Sequence, residues 1–339
     1  MPHLVVTSIS KPNAVLEALA DGATANGWKF HLIGDRRSPE NFSLAGCKYH
    51  TIGSQLDLPF SYAKLCPENS YARKNLGYLV AMSEGADVIA ETDDDNFPLQ
   101  DFWNRRDIEL DARSIQGQGW INAYRYFTKT FCYPRGYPLT LVRSSWDSAP
   151  PDAAQEPARC PIQQGLANGQ PDVDAVFRML HPADIHFDEA PPIALGKGQW
   201  CPINSQNTTW FPSVYPLLYL PATCSFRATD IWRGLVAQRM LWANGWHVGF
   251  HGADVRQDRN EHDLLADFEQ ELPVYRHTAE IAARLAALSL SPGIQEIPKS
   301  LTLCYQTLVT AGWLDKSELG LIDAWLRDCR ALGHPSGKA

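Results

Sequence analysis

The chain has 339 residues, 45% of them hydrophobic, and a formal net charge of −8. This suits one large folded domain with insertions, or two domains sharing a cleft, and excludes a disordered chain. An acidic balance without a long basic run argues against non-specific nucleic-acid binding, although local arginines still suit a phosphate-bearing ligand.

In chain order, LVVTSIS within residues 3–10 reads as a first strand, and residues 13–26 as a helix with Val15, Leu16, Leu19 and Ala20 on one face. KFHLIG (29–34) is a second strand, so a βαβ unit and a parallel sheet are expected. Residues 71–84 form the next helix, capped by Asn69 or Ser70 and ended by Gly85. A third strand, 87–90, runs into Asp93, Asp94 and Asp95. Residues 130–225 are rich in proline and glycine and read as loops and short strands. Residues 229–243 form a strongly periodic helix, with further helices at 280–288 and 319–332. The expected organisation is a nucleotide-binding half (1–130), an acceptor half of the same domain (131–275) and a C-terminal helical segment (276–339).

Three adjacent carboxylates repel one another unless a cation sits among them. In an extended segment Asp93 and Asp95 share a side, giving a hard oxygen site for Mg²⁺ or Mn²⁺ that bridges to substrate phosphates. A solvated acidic turn is the alternative. Arg73 and Lys74 stand in the first turn of a helix, where a cation opposes the macrodipole, so an anionic ligand is expected there. Surface pairing with Glu68 or Glu84 is the competing reading.

Eight cysteines are scattered singly with no CxxC pair, as in a reducing compartment. MPHLVVTSISKPN has neither a basic leader nor a long apolar core, and no apolar run reaches the roughly 18–20 residues that span a bilayer. The expectation is a cytoplasmic chain without a transmembrane segment, with peripheral contact to a membrane's inner face as the nearest alternative.

RKNLGYLVAMSEGADVIAETDDDN, GLANGQPDVDAVFRM, NSQNTTWF, LYLPATCSFRATDIWRGLVAQRMLW and RNEHDLLADFE, in order from about residue 70 to 270, resemble the STELLO family of glycosyltransferases. The resemblance implies a GT-A-like, Rossmann-like α/β fold: a mostly parallel sheet flanked by helices, a loop-rich acceptor region and C-terminal helices. It implies transfer of a sugar from a nucleoside-diphosphate donor, a UDP-sugar above others, to a glycan or other hydroxyl acceptor. DXD aspartates (Asp93, Asp95) would hold Mn²⁺ or Mg²⁺, with Asp94 beside the donor. Thr7, Ser8 and Asp35 would touch base and ribose, while Arg256 and Arg259 would grip the diphosphate. His262 would be a further metal ligand, with His251 as competitor.

Asp172 and Asp174 would receive sugar hydroxyls if they share a strand face; in the helical alternative Asp172 is an N-cap. Asp230 would be the catalytic base, kept acidic by Arg227 and Arg233, or else Asp230 or Thr229 only caps its helix. Trp200 and Trp210 are candidates for stacking on an acceptor sugar. A nucleotide-sugar mutase of the UDP-arabinopyranose mutase type, which also carries DDD, and a non-catalytic scaffold of the same fold are the alternatives.

Overall fold

The computed structural model describes residues 1–258 and 263–334. The first third alternates β1 (Pro2–Thr7), α1 (Ala14–Ala25), β2 (Lys29–Ile33), β3 (Cys47–His50), α2 (Ile52–Leu56), α3 (Lys74–Ser83) and β4 (Val88–Thr92). The middle holds β5 (Asn96–Pro98), β6 (Glu109–Ile115), β7 (Gly119–Trp120), α4 (Val142–Asp147), β8 (Asp152–Arg159), β9 (Ile162–Gly169) and α5 (Ala175–Leu180). β10 (Ile193–Leu195), β11 (Gln199–Trp200) and β12 (Asn207–Trp210) follow, then α6 (Thr229–Ala243) and β13 (Val248–Gln257). Helices α7 (Leu264–Ala286), α8 (Ile297–Thr310) and α9 (Glu318–Ala331) complete the chain.

One large sheet runs in the order β3-β2-β1-β4-β12-β9-β13-β10-β6-β8. Its first four strands are parallel. Beyond them β12 runs antiparallel to both β4 and β9, so the sheet is mixed. Residues 130–225 are less irregular than their composition suggests: β8 and β9 each have eight residues, and β9 lies inside the sheet.

Alternation along β1 explains the layers. Leu4 and Val6 pack with Val15, Leu16 and Leu19 of α1, whereas Val5 packs with Leu76 and Leu79 of α3 on the other face. Gly77 lets α3 lie close to the sheet: a Cβ there would stand 2.5 Å from Val5 Cγ1 and 2.8 Å from Ile33 Cγ1. Alanine's higher helix propensity is worth about 1 kcal/mol, against ~1–3 kcal/mol for overpacking. Gly77→Ala is therefore expected to lower the urea midpoint, and an unchanged or raised midpoint contradicts this packing.

The C-terminal helices are tied to both halves. Helix α7 runs unbroken through position 275. Glu318, fully buried, accepts hydrogen bonds from the backbone N–H groups of Ala222 and Thr223 and from the hydroxyls of Thr223 and Tyr219. Asp328 accepts from the N–H groups of Ser61 and Tyr62 at 2.9 and 2.8 Å.

Candidate functional site

A cavity of about 450 Å³ opens beyond the carboxyl ends of β1, β2 and β4, the usual ligand side of an open α/β sheet. Thr7, Ser8 and Asp35 line one side, Asp93, Asp94 and Asp95 the floor, and Asp172 and Asp230 the other side. Thus eight of the residues expected from the sequence meet in one place. Arg73 also reaches its wall.

The three aspartates are held differently. Asp94 accepts from the hydroxyls of Ser8 and Ser10, the latter at 3.0 Å, and its backbone oxygen accepts from Asn13 Nδ2 at 3.2 Å. It locks β4's end to the start of α1, where Asn13 is the N-cap. Asp95 accepts from Gln257 Nε2 at 2.9 Å. Asp93 accepts from the Tyr71 hydroxyl at 2.9 Å and lies 3.4 Å from Lys74 Nζ. Burial, opposed by Lys74 and reinforced by Asp95, pushes the Asp93 carboxyl up to about 6.

Arg73 and Lys74 depart from the expectation of two phosphate-facing cations. Residues 71–73 form a separate 3₁₀ turn capped by Ser70, and α3 begins at Lys74. Arg73 is buried, donating from Nε to Gln55 Oε1 at 2.7 Å and from a terminal nitrogen to the Cys66 oxygen. Lys74 is fully buried beneath the aspartates, donating to Tyr71 Oη and the backbone oxygens of Thr92 and Ser205. It supplies positive charge to Asp93 from behind. Neither makes the surface pair to Glu68 or Glu84; Glu68 pairs with Arg36, and Glu84 with Lys29 and Lys48. Asp35 accepts from the N–H groups of Asn69 and Ser70, both at 2.9 Å, and so fixes the loop before that turn.

The side of the cavity that holds Asp172 and Asp230 is organised by Arg135, which the sequence reading missed. Its guanidinium grips Asp172 through Nε at 2.7 Å and a terminal nitrogen at 2.9 Å, and the same nitrogen reaches both oxygens of Asp230 at 3.1 and 2.9 Å. Ser205 adds its N–H and hydroxyl to Asp230, both at 3.2 Å. Burial pushes the Asp230 carboxyl up, but Arg135 and Arg233 outweigh it and hold it below the usual carboxylate value. Arg227, one of the two flanking cations expected to keep Asp230 acidic, is instead paired with Glu271. The N-cap of α6 is Ala228, Thr229 bonds back to the Ser225 oxygen, and Asp230, in the first turn, accepts from the Ile231 N–H at 3.0 Å through Oδ1. The Tyr71 hydroxyl lies 2.6 Å from Ser205 Oγ, which brings the groups around Asp93 and Asp230 into contact.

Asp172 and Asp174 do not act together. Asp174, not Asp172, caps the short helix, accepting from the Phe177 N–H at 2.7 Å, and it does not line the cavity. Its other oxygen is buried without a partner, and burial pushes the carboxyl up to about 7. Because the folded pKa lies above the unfolded value near 3.9, this group's contribution is fully present below about pH 4 and is lost as pH rises through 7. Asp174→Asn keeps the capping oxygen and removes the charge. The variant is expected to lose less urea resistance than the parent between pH 5 and pH 8; parallel curves would refute the assignment.

Other expected residues lie elsewhere. Arg256 is exposed on β13, paired with Asp258 at 2.6 Å and stacked over Phe97, away from the cavity lining. Arg259 and His262 lie outside the described residues. His251 bonds the Gly252 oxygen through Nδ1 at 3.0 Å and does not line the cavity. Trp200 is core, against Trp242 at 4.2 Å, and Trp210 is core, donating to Glu91 at 2.9 Å, so neither presents a face to an acceptor. The aromatics that line the cavity are Tyr71 and Phe226, the latter exposed and edge-on to Tyr71.

An α/β sheet of this order, with a carboxylate-floored cavity at the strand ends, is a GT-A-like fold. Residues 227–338 match the model of the STELLO glycosyltransferases. The chain is 33% identical to the Arabidopsis thaliana protein named "Probable glycosyltransferase STELLO2" and 30% identical to "Probable glycosyltransferase STELLO1", each over 97% of its own length. It therefore belongs to the STELLO family, and it spans 45% and 44% of the length of those two relatives. No helix among the described residues is long and apolar enough to cross a membrane.

Proposed function

We propose that the chain is a metal-dependent glycosyltransferase whose donor is a nucleoside-diphosphate sugar, a UDP-sugar first among them. The observation that carries this reading is the cavity itself: Asp93 and Asp95 share a floor with Thr7, Ser8 and Asp35 on one side and Asp172, Arg135 and Asp230 on the other. Mg²⁺ and Mn²⁺ are held by one or two carboxylates together with substrate phosphates, which the Asp93 and Asp95 pair fits. When bound there, the ion stabilises the negative charge that develops on the departing diphosphate.

The chain's own residues do the rest. In this reading Thr7 and Ser8 meet the nucleoside, Asp35 holds the loop at 69–70 beside it, and Phe226 offers a ring face to the acceptor. Asp230, ionised and oriented by Arg135 and Ser205, is placed to take the acceptor hydroxyl's proton as its oxygen attacks the anomeric carbon and the bond to the diphosphate breaks. A carboxylate this acidic accepts the proton only late in the transfer.

The test is titration calorimetry with UDP, GDP, CDP and ADP, each with and without Mn²⁺. Manganese-dependent binding of one diphosphate, UDP foremost, is expected. Folded protein that binds none of them, or binds equally without metal, refutes the reading.

A further inference from the structure

Three buried histidines form a diagonal row across adjacent parallel strands: His3 at the end of β1 away from the cavity, His31 on β2 opposite Val5, and His50 on β3 opposite Ile33. The four steps from His3 to Thr7 amount to about 13 Å of strand. His3 Nδ1 and His31 Nε2 are 3.0 Å apart, and His31 Nδ1 and His50 Nε2 are 3.3 Å apart. Glu84, which follows α3 and precedes the left-handed Gly85, lies alongside. One nitrogen of His3, one of His31 and a Glu84 oxygen all lie within 4.8 Å of one another.

Hydrogen bonding within the row leaves this cluster incomplete. Nε2 of His3 is buried and has no partner, a condition rare enough in folded proteins to call for an explanation. We propose that His3, His31 and Glu84 form a binding site for Zn²⁺ or a similar transition-metal ion, separate from the aspartates of the cavity. Two imidazoles and a carboxylate are a common ligand set for this ion, with water in the fourth position. His31 is already oriented as a ligand: when its Nδ1–H donates to His50, its Nε2 lone pair faces His3. An outer-shell hydrogen bond of this kind fixes the tautomer of metal-bound histidines. His3 can ligate through Nε2, or through Nδ1 once the proton shared with His31 moves away. In the second case, Zn–N bonds of about 2.0–2.1 Å at a tetrahedral angle need nitrogens roughly 3.3 Å apart. The observed 3.0 Å needs to open by only a few tenths of an ångström.

Charge and access fit as well. Burial lowers His3 to about 4 and His31 to about 3, so both imidazoles are neutral ligands at physiological pH. Glu84 is partly exposed and gives an ion a way in. Lys29 and Lys48 hold its two oxygens at 2.7 and 2.8 Å, and both are exposed enough to swing into solvent when a dication arrives. Their presence sets the affinity below that of a closed four-ligand zinc site. An ion here joins β1 and β2 to the end of α3.

Co²⁺ is the probe, because tetrahedral cobalt has a strong visible spectrum. It is titrated into chain carrying Asp93→Asn and Asp95→Asn, so that the cavity carboxylates do not compete. One saturable equivalent with that spectrum, displaced by Zn²⁺, and a Zn²⁺-dependent rise in melting temperature are expected. Glu84→Gln, at a partly exposed position that leaves the core intact, should weaken binding at least tenfold. His50→Gln should cost roughly ten- to a hundredfold, as loss of an outer-shell partner does. Folded protein without saturable Co²⁺ binding, or binding unchanged by both substitutions, means the row is a hydrogen-bonded histidine stack and overturns the site.

Discussion

Asp93→Asn or Asp95→Asn is expected to lower sugar transfer at least ~10³-fold, the scale of several kcal/mol of lost charge stabilisation. The substitution keeps size and shape, and at position 93 it retains an oxygen for the Tyr71 hydroxyl. Asp93 sits where its ionised form is disfavoured, since burial raises its carboxyl to about 6. A neutral amide there relieves that cost, so Asp93→Asn should melt at or above the parent's temperature. Lys74 keeps its bonds to the backbone oxygens of Thr92 and Ser205. Loss of turnover and of Mn²⁺-dependent nucleotide binding in a fully folded variant is the predicted signature. Normal turnover in both variants would remove the metal role from this cluster.

The second large effect concerns stability. Beneath the cavity, Arg233 of α6 grips Glu91 of β4 through two nitrogens at 3.0 and 2.7 Å. Trp210 Nε1 and the Tyr78 hydroxyl donate to the same carboxylate, and the guanidinium lies over the Trp210 ring. Both partners are fully buried. Removing one side leaves the other buried without its bidentate partner, with only Lys74 4.0 Å from Glu91, and Arg233→Met is expected to cost about 3–5 kcal/mol. Glu91→Gln combined with Arg233→Met leaves no net charge, while the amide oxygen still accepts from Trp210. The double variant should therefore lose less than the sum of the two single losses. Urea unfolding of the four proteins checks this; strict additivity would mean that the pair does not act as a unit.

Local signals carried much of this architecture. Helix α6 was legible at its observed bounds, 229–243, because Asn244 and Gly245 stop it and its apolar residues keep one period. The βαβ start and the strand feeding the three aspartates were equally plain, since each needs only a run of neighbouring residues. GT-A-like membership followed from five motifs in order.

What stayed hidden depends on contacts far apart in sequence. Arg135 lies 37 residues from Asp172 and 95 from Asp230, and PRG, the local stretch around it, reads as an ordinary turn. The helical cap was misplaced by two residues because Asp172 and Asp174 are both good capping types, and only the backbone decides between them. Lys74 was misread for a related reason. A cation at a helix start is unfavourable in isolation, but here carboxylates and carbonyl oxygens across the sheet surround it. Trp200 and Trp210 show that aromatic abundance speaks first of packing.

The ties made by Glu318 and Asp328 bear on the order in which the molecule can close. Among the described residues, every strand of the sheet ends by residue 257. Yet the loop at 219–223, which leads into α6 and Asp230, gains its anchoring carboxylate only from residue 318, and the turn at 61–62 only from residue 328. The sheet therefore draws on no described residue beyond 257, whereas the loop that leads into the cavity's far wall depends on residue 318. That wall of the cavity gains its anchor only when α9, which carries Glu318, docks.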